Sequence, residues 1–222
     1  SVVEDAACAV GTTYQGSLVG KFGDVASFSF HPRKIITTGE GGMVTTNNKR
    51  IANKVRALKN LGFVKGKPRL FSTCGYNYRL SNIHAAVGLV QLKKIKELIR
   101  SRVTIATAYT DSLRSKVKII PPTPFGTDTH TYQSYVVRLT GCLGRRRDDV
   151  IQAMRLRGIE TQIGSFALHL QPVFKRFVSK SLSYESSRLC YETALALPIS
   201  SSMLRSDVKR VVNTLTSLVN SQ

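Results

Sequence analysis

The pattern of apolar and polar residues divides the first part of the chain into short strands and a helix. Three short runs rich in β-branched and aromatic side chains predict strands at residues 25–30, 35–38 and 43–46, the last two paired across residues 39–42. Short apolar runs of this kind are typical of the buried strands of an α/β sheet. A basic, amphipathic stretch over residues 49–61 predicts a helix that ends at Gly62.

A longer helical pattern follows. Ser81 and Asn82 can cap a helix whose apolar positions recur at helical spacing to about Leu113. A helix of that length could connect two domains, and three prolines between residues 121 and 124 then interrupt the chain. We therefore predict one domain over residues 1–118 and a second, smaller domain over residues 119–222.

The second domain has the pattern of a small α+β unit. Strands are predicted at residues 132–139 and 159–162, with a helix at residues 148–157 that Gly158 ends. A final amphipathic helix is predicted over residues 207–219, with Ser206 as its N-cap. A few strands and helices in this order are enough to build one compact layer of sheet and helix.

Composition limits the class of protein. The 222 residues, 42% of them hydrophobic, suffice for a substantial core, and no apolar run approaches the roughly 20 residues of a membrane span. The four cysteines form no CxxC pair, which argues against a zinc site or a disulfide framework and favours the reducing cytoplasm. The opening Val2 and Val3, followed by acidic residues, resemble the end of a buried strand, so we expect a fragment or the second part of a longer protein.

The formal net charge of +20 is the strongest compositional signal. The basic residues fall into three groups, at 49–69, 93–118 and 145–157, without a nucleic-acid-binding motif. One interpretation is that they form solvated helix faces. The other is that they attract a phosphorylated substrate or a nucleic acid. A nucleic acid is disfavoured, because these basic stretches contain few aromatic side chains on which bases could stack.

Lys34 is the most conspicuous candidate for chemistry. It follows an apolar run and Arg33, and it precedes a glycine-rich segment. A lysine amine becomes a nucleophile when burial or a neighbouring cation disfavours its protonated form, although most lysines near a turn are merely solvated. Asp5 ends the first predicted strand, where a carboxylate can serve a site or cap a turn. The spacing of the four histidines matches no metal site.

The motifs taken together resemble the DegT/StrS family of sugar aminotransferases, which depend on pyridoxal 5′-phosphate (PLP) and have the aspartate aminotransferase fold, called fold type I. The resemblance covers essentially the whole chain, and its motifs occur in the family's order. They are Val3-Glu4-Asp5-Ala6-Ala7-Cys8-Ala9, Gly20-Lys21-Phe22-Gly23-Asp24, Phe28-Ser29-Phe30-His31-Pro32-Arg33-Lys34, Thr37-Thr38-Gly39-Glu40-Gly41-Gly42, Gly75-Tyr76-Asn77-Tyr78-Arg79-Leu80-Ser81-Asn82-Ile83, Arg157-Gly158-Ile159-Glu160-Thr161, Leu168-His169-Leu170-Gln171-Pro172 and Ala196-Leu197-Pro198.

The resemblance implies a role for four residues. Lys34 matches the lysine that holds the cofactor covalently and moves a proton during amino transfer. Asp5 matches the carboxylate that pairs with the pyridine nitrogen, and Ser29 matches a hydroxyl on the cofactor phosphate. Asn77 matches an asparagine that reaches the phosphate in the neighbouring subunit, which implies a homodimer with shared active sites.

The implied fold is α/β, comprising part of the fold type I large domain and a small α+β C-terminal domain. The implied reaction moves an amino group from glutamate to a keto group on a nucleotide-linked deoxyhexose. Because Lys34 is not replaced by histidine, amino transfer is favoured over the dehydration that one branch of the family performs. Cys8 is a further candidate for binding the cofactor, although it departs from the family, in which glutamine or histidine often lies at this position near the cofactor ring. Arg79 and His169 lie in family motifs and are expected to serve structure or substrate.

The sequence from Ser1 onward does not include the family's first part, which helps to bind the cofactor. We therefore expect this chain by itself to bind PLP weakly or not at all and to expose apolar surface. The alternative from another class is a catalytically silent or regulatory, truncated relative of that family. The retention of Asp5, Ser29, Lys34 and Asn77 argues against that alternative, whereas the absence of the first part argues for it.

Overall fold

The structure is a computed structural model that describes residues 1–64, 66–123, 126, 128–141, 146–179 and 181–220. Pro124 and Cys142 lie outside these described residues. The chain divides into two compact units, one formed by Ser1–Arg100 with Phe125–Gln133 and the other by Ser101–Pro124 with Ser134–Gln222. The predicted boundary between residues 118 and 119 stays a prediction.

The first unit is built on a three-stranded sheet and two hairpins. Its elements in chain order are β1 (Val3–Asp5), β2 (Thr13–Tyr14), β3 (Ser17–Leu18), β4 (Val25–Ser29), β5 (Gly42–Thr45), α1 (Lys49–Leu58), β6 (Phe63–Val64), β7 (Lys67–Phe71), α2 (Asn82–Lys93) and the start of α3 (Ile95–Leu113). In the sheet β4 is central, with β1 parallel on one side and β5 antiparallel on the other. The hairpins β2–β3 and β6–β7 were not predicted from the sequence.

The predicted strand at residues 35–38 is wrong, because β5 pairs with β4 itself. The segment between them is a loop whose first residue, Phe30, forms backbone hydrogen bonds with two residues near the loop's end. The Phe30 N–H donates to Gly41 O at 2.9 Å, and the Thr38 N–H donates to Phe30 O at 3.1 Å. Ile36 and Thr38 are buried, which accounts for the apolar pattern that suggested a strand. Lys34 therefore lies in a loop between two paired strands.

The long helix predicted over residues 82–113 is two helices. The backbone N–H of Lys94 donates to the carbonyl of Gln91, three residues earlier, at 3.0 Å. The carbonyl of Lys94 then accepts the first hydrogen bond of α3. The predicted N-cap of α2 is confirmed, since the Ser81 hydroxyl accepts from the His84 N–H at 3.2 Å. Helix α1 ends at Leu58, earlier than predicted, and Asn48 caps its start.

Much of the apolar surface in the first unit is exposed. None of the described residues of α2 is buried, and Ile83 and Leu89 are 79% and 65% exposed. On β1 and β5, Val3 and Met43 are likewise exposed. Apolar patches of this extent are usual at surfaces that bind other polypeptide.

The second unit is an antiparallel sheet with helices around it. Its further elements are β8 (Ile119–Ile120), β9 (Tyr135–Leu139), α4 (Arg147–Arg155), β10 (Gln162–Ile163), α5 (Glu185–Thr193), β11 (Ala194–Leu197) and α6 (Arg205–Asn220), with two short 3-10 helices at Leu168–Leu170 and Pro172–Phe177. The strand order is β10-β11-β9-β8. Ser206 lies inside α6 and is not its N-cap; instead the Asp207 carboxylate accepts from the Leu204 N–H at 2.8 Å.

The core of the second unit is well packed. The side chains of β9 alternate, and Tyr135, Val137 and Leu139 are buried. The ring of Tyr109 stacks on Tyr135 with 4.9 Å between the centroids, and its hydroxyl donates to Pro198 O at 2.9 Å. Burial, with smaller contributions from Tyr135 and Asp207, raises the pKa of Tyr109 above the usual range of a tyrosine.

The described part of the chain contains neither a helix suited to a membrane nor a cluster of metal ligands. Among its helices, none combines the length and the apolarity that crossing a membrane requires. Nor do three or more His, Cys, Asp or Glu side chains within it come together in a way that could hold a metal ion.

Candidate active site

Two neighbouring parallel strands of the first unit end at the same edge of the sheet. Asp5 is the last residue of β1 and pairs with Ser27 of β4, and the Ala6 N–H continues the ladder by donating to Ser27 O at 3.0 Å. Ser29 is the last residue of β4. Because the carboxyl ends of parallel strands are the usual place for ligands in open α/β sheets, this edge is the candidate site.

Asp5 presents a carboxylate with free capacity to accept hydrogen bonds. The Ala7 N–H donates to Oδ1 at 3.2 Å, and no described residue donates to Oδ2 or forms an ion pair with the side chain. The side chain is exposed. The neighbouring Glu4 is different, since its pKa is lowered by hydrogen bonds from the N–H groups of Gly23 and Gly20, at 2.5 and 2.8 Å.

The backbone of the loop after β4 positions Lys34. The Ser29 hydroxyl accepts from the His31 N–H at 3.3 Å, and the Lys34 N–H donates to His31 O at 2.9 Å. The Thr37 hydroxyl donates to Phe30 O at 2.9 Å and so holds the far side of the loop. Lys34 is half-buried, and no carboxylate of the described residues lies within ion-pair distance of its amine.

Cys8 is the partner of the Lys34 amine. It lies in the turn after β1, and Lys34 Nζ donates to Cys8 Sγ at 2.9 Å. This contact connects the segment after β1 to the loop after β4. The structure therefore brings Asp5, Cys8, Ser29 and Lys34 to one edge of the sheet.

Gln133 is a positioning residue that the sequence analysis missed. Its side-chain amide brackets Lys34, since Nε2 donates to Arg33 O at 2.6 Å and Oε1 accepts from the Ile35 N–H at 3.1 Å. These bonds span 100 and 98 residues of sequence, so no local pattern indicates them. Gln133 belongs to the same unit as Lys34.

The substitution Gln133→Met removes both hydrogen bonds and keeps a similar side-chain volume. At about 1 kcal/mol per neutral hydrogen bond, the free energy of unfolding of the first unit should fall by about 2 kcal/mol. Chemical denaturation measures this change. The matched variant Gln133→Glu keeps an oxygen that can accept from Ile35 but sets a carboxylate oxygen against Arg33 O, so it should lose at least as much stability as Gln133→Met. A Gln133→Glu protein as stable as the unchanged protein would contradict the proposed contribution of the Arg33 bond.

Asn77 lies apart from the other predicted site residues. The segment around it runs along the end of α1, where Asn60 and Asn77 form an isolated bridge. A Cβ added to Gly75 would lie 2.2 Å from the Gly62 backbone nitrogen, so this approach requires glycine. Arg79 donates to the exposed Asn77 Oδ1 through Nε and Nη2, at 3.2 and 3.1 Å. No hydrogen bond in the described part of the chain joins Asn77 to Asp5, Ser29 or Lys34.

A basic groove of about 1590 Å³ lies in the first unit beside Asn60 and Arg79, and Lys34 is not among its described lining residues. Among the described residues that line it, none is acidic and five are basic, namely Lys49, Lys54, Arg56, Lys59 and Arg79. A groove lined by one sign of charge attracts ligands of the opposite sign. In the second unit, His169 stacks on Tyr184 with 4.8 Å between ring centroids, a contact within its own fold.

Comparison with known proteins decides the family. The model of the DegT/DnrJ/EryC1/StrS aminotransferase family matches residues 1–216. The chain belongs to this family. The predicted relationship is therefore confirmed, and the enzymes of the family use PLP, as the resemblance implied.

Individual relatives agree with the family. The chain is 37% identical to GDP-perosamine synthase of Caulobacter vibrioides, over 95% of this chain and 57% of the relative. It is similar in structure to Helicobacter pylori PseC, an aminotransferase of pseudoaminic acid biosynthesis, with a TM-score of 0.92, 25% identity and coverage of 99% and 60% of the two chains. The PLP form of Spr1654 from Streptococcus pneumoniae gives a TM-score of 0.89 at 25% identity, covering 99% and 57%.

These comparisons confirm the predicted fold, a part of the fold type I large domain with a small α+β domain. They also show that the chain spans less than two thirds of the length of the relatives it matches.

Proposed function

We propose that this chain forms part of a PLP-dependent aminotransferase that moves an amino group from glutamate to a keto group on a nucleotide-linked deoxysugar. One observation carries the proposal: a lysine amine without a carboxylate partner among the described residues lies at the carboxyl edge of the sheet, beside Cys8. Asp5 and Ser29 end the two parallel strands there. These groups match what amino transfer on PLP requires.

The donor set suits the cofactor. PLP presents an aldehyde, a pyridine nitrogen and a phosphate, and bound PLP supplies an electron sink for the charge that develops at the amino acid's Cα. The amine of Lys34 can bind the aldehyde covalently, the free Oδ2 of Asp5 can accept from a protonated ring nitrogen, and the Ser29 hydroxyl can donate to the phosphate. Each group of the cofactor therefore has a chemically matched residue.

Lys34 has two tasks in this proposal. Its amine would hold the cofactor and, when free, would be the base that takes the proton from Cα of the amino acid and returns it to a neighbouring carbon atom. One group could do both because the amine would stay beside the two carbon atoms between which the proton moves. The two hydrogen bonds of the Gln133 side chain fix the backbone on either side of Lys34 and so limit the positions that the amine can reach.

Asp5 and Ser29 act on the cofactor without moving a proton to the substrate. A carboxylate facing the ring nitrogen favours the protonated ring, which accepts electrons more readily. The backbone hydrogen bond from Ala7 holds the Asp5 side chain at the end of its strand. The Ser29 hydroxyl, at the end of β4, supplies a hydrogen-bond donor for the phosphate.

The nucleotide-linked sugar is supported by charge and by the relatives. The groove lined by Lys49, Lys54, Arg56, Lys59 and Arg79 suits a diphosphate. The Caulobacter vibrioides relative is named for a GDP-linked sugar. The same charge would attract nucleic acid, but a nucleotide sugar also accounts for the site at Lys34.

We further propose that the protein is a homodimer with shared active sites. We also propose that it is located in the cytoplasm. Asn77 is exposed and separate from Lys34, so it is available to reach the cofactor phosphate in a second copy. The exposed apolar residues of α2 supply surface that a second copy could cover. The free thiols of Cys8, Cys74 and Cys190 suit a reducing compartment. Sedimentation equilibrium tests the dimer, and a monomer under all conditions would exclude it.

An amino-transfer assay tests the function. The protein expressed from the complete reading frame that contains these residues, loaded with PLP, should convert glutamate to 2-oxoglutarate and place the amino group on a nucleotide-linked keto-deoxysugar. Mass spectrometry identifies both products, and omission of PLP is the control. A protein that binds PLP but leaves every amino donor and keto sugar unchanged would instead support the silent relative.

A further inference from the structure

The contact between Cys8 and Lys34 joins two nucleophiles. The 2.9 Å from Sγ to Nζ is a close approach, and the two residues come from different strand ends. Cys8 is exposed and has no disulfide partner, so an oxidant can reach its sulfur. Exposed thiols that can lose their proton are the ones that oxidants attack.

The surroundings leave both groups free to react. Lys34 has no carboxylate partner among the described residues, and its side chain is a flexible four-carbon stem that can approach the sulfur further. The loop carrying Lys34 is fixed by Gln133 and Phe30, which keeps the amine near Cys8. Cys74 and Cys190 are also free and exposed, but no described hydrogen bond joins either thiol to an amine.

We propose that Cys8 and Lys34 form an oxidation-sensitive site, at which a hydroperoxide causes Sγ of Cys8 to bond covalently to Nζ of Lys34. In the first step the thiol attacks hydrogen peroxide, the O–O bond breaks, and sulfenic acid and water form. Sulfur is oxidised by two electrons and the peroxide is reduced. In the second step the neutral amine attacks the sulfenic sulfur, the S–N bond forms, the S–O bond breaks, and the oxygen leaves as water with a proton from the nitrogen.

The product is a sulfenyl amide that has lost one hydrogen from sulfur and one from nitrogen. Thiols reverse it: two thiol molecules restore the Cys8 thiol and the Lys34 amine and leave as a disulfide. Because the bond consumes the amine, it would also block covalent binding of PLP. That consequence rests on the proposed function, whereas the bond itself requires only the pair of side chains.

Peptide mapping tests the bond directly. The protein from the complete reading frame, purified without cofactor, is treated with a small excess of hydrogen peroxide and digested with trypsin. We expect a linked peptide pair that contains Cys8 and Lys34, lacks the mass of two hydrogen atoms, and is not cleaved after Lys34. Dithiothreitol should separate the pair and restore cleavage.

Matched variants make the result specific. Cys8→Ser and Lys34→Arg should each abolish the linked pair, because serine is not oxidised and the guanidinium stays protonated. Cys74→Ser should leave its yield unchanged. Sulfinic acid or a disulfide at Cys8 with normal cleavage after Lys34, or linkage spread evenly over many lysines, would overturn the proposal.

The same oxidation carried out with and without PLP tests this proposal separately from the proposed function. Prior loading with PLP should protect against the bond, and oxidised protein should take up PLP in proportion to its unlinked fraction. If the linked pair forms but PLP neither protects nor is excluded, the oxidation site stands and the role of Lys34 toward PLP fails. If no linked pair forms although PLP binds Lys34, the oxidation site fails and the function stands.

Discussion

The substitution Lys34→Arg should abolish covalent binding of PLP and lower kcat for amino transfer by about 10²–10⁴-fold, the effect that loss of proton transfer alone produces. Arginine keeps the positive charge, but its guanidinium cannot give up its proton under working conditions and so is not a nucleophile. Borohydride reduction of the PLP-loaded protein followed by peptide mapping measures the first effect. The steady-state amino-transfer rate measures the second.

Lys21 provides the matched control, because it is an exposed lysine of the same unit that precedes β4. Lys21→Arg should keep both the reduced cofactor–lysine bond and the rate. Label on a lysine other than Lys34 in the unchanged protein, or a normal rate in Lys34→Arg, would refute the assignment. Circular dichroism of Lys34→Arg shows whether the variant is folded, so that loss of the label is not mistaken for loss of the fold.

The substitution Asp5→Asn should lower kcat by about 10²–10³-fold, the size expected when one preorganised electrostatic group is removed from an active site. Asparagine keeps an oxygen that can accept from the Ala7 N–H, so the turn after β1 should survive. What is lost is the negative charge that favours a protonated pyridine nitrogen. The rate is measured at saturating PLP, so that weaker cofactor binding does not contribute.

Asp24→Asn is the control for Asp5. Its carboxylate accepts from the Val2 N–H at 2.8 Å in the same unit, and it directly precedes β4, at the opposite end of that strand from Ser29. Its removal should change the rate little. An Asp5→Asn protein that transfers amino groups at the unchanged rate would show that this carboxylate does not act on the cofactor ring.

Local signals account for the elements that the sequence predicted well. The Ser81 cap of α2, the basic amphipathic helix α1 and the final helix α6 depend on residues within a few positions of each other. Strand β4 was predicted to within one residue of its observed end. Motif order indicated the family, and with it the candidate residues Asp5, Ser29, Lys34 and Asn77.

Elements that depend on distant partners were missed. Ala194-Leu195-Ala196-Leu197 has no distinct strand pattern, yet it is an inner strand because β9 and β10 pair with it on both sides. The residues 35–38 have a strand-like composition but form a loop, since β5 satisfies the backbone of β4 instead. The break at Lys94 contains neither proline nor glycine that would indicate it.

The sequence by itself determined the family and several single elements, namely β4, α1, the start of α2 and α6, because these follow from short motifs and local periodicity. Only the tertiary structure decided the contacts that shape the site. The amide of Gln133 meets the backbone beside Lys34 across about a hundred residues, and Cys8 Sγ meets Lys34 Nζ because β1 and β4 are parallel and end together. Such contacts arise from chain topology, which brings together residues that no local pattern relates.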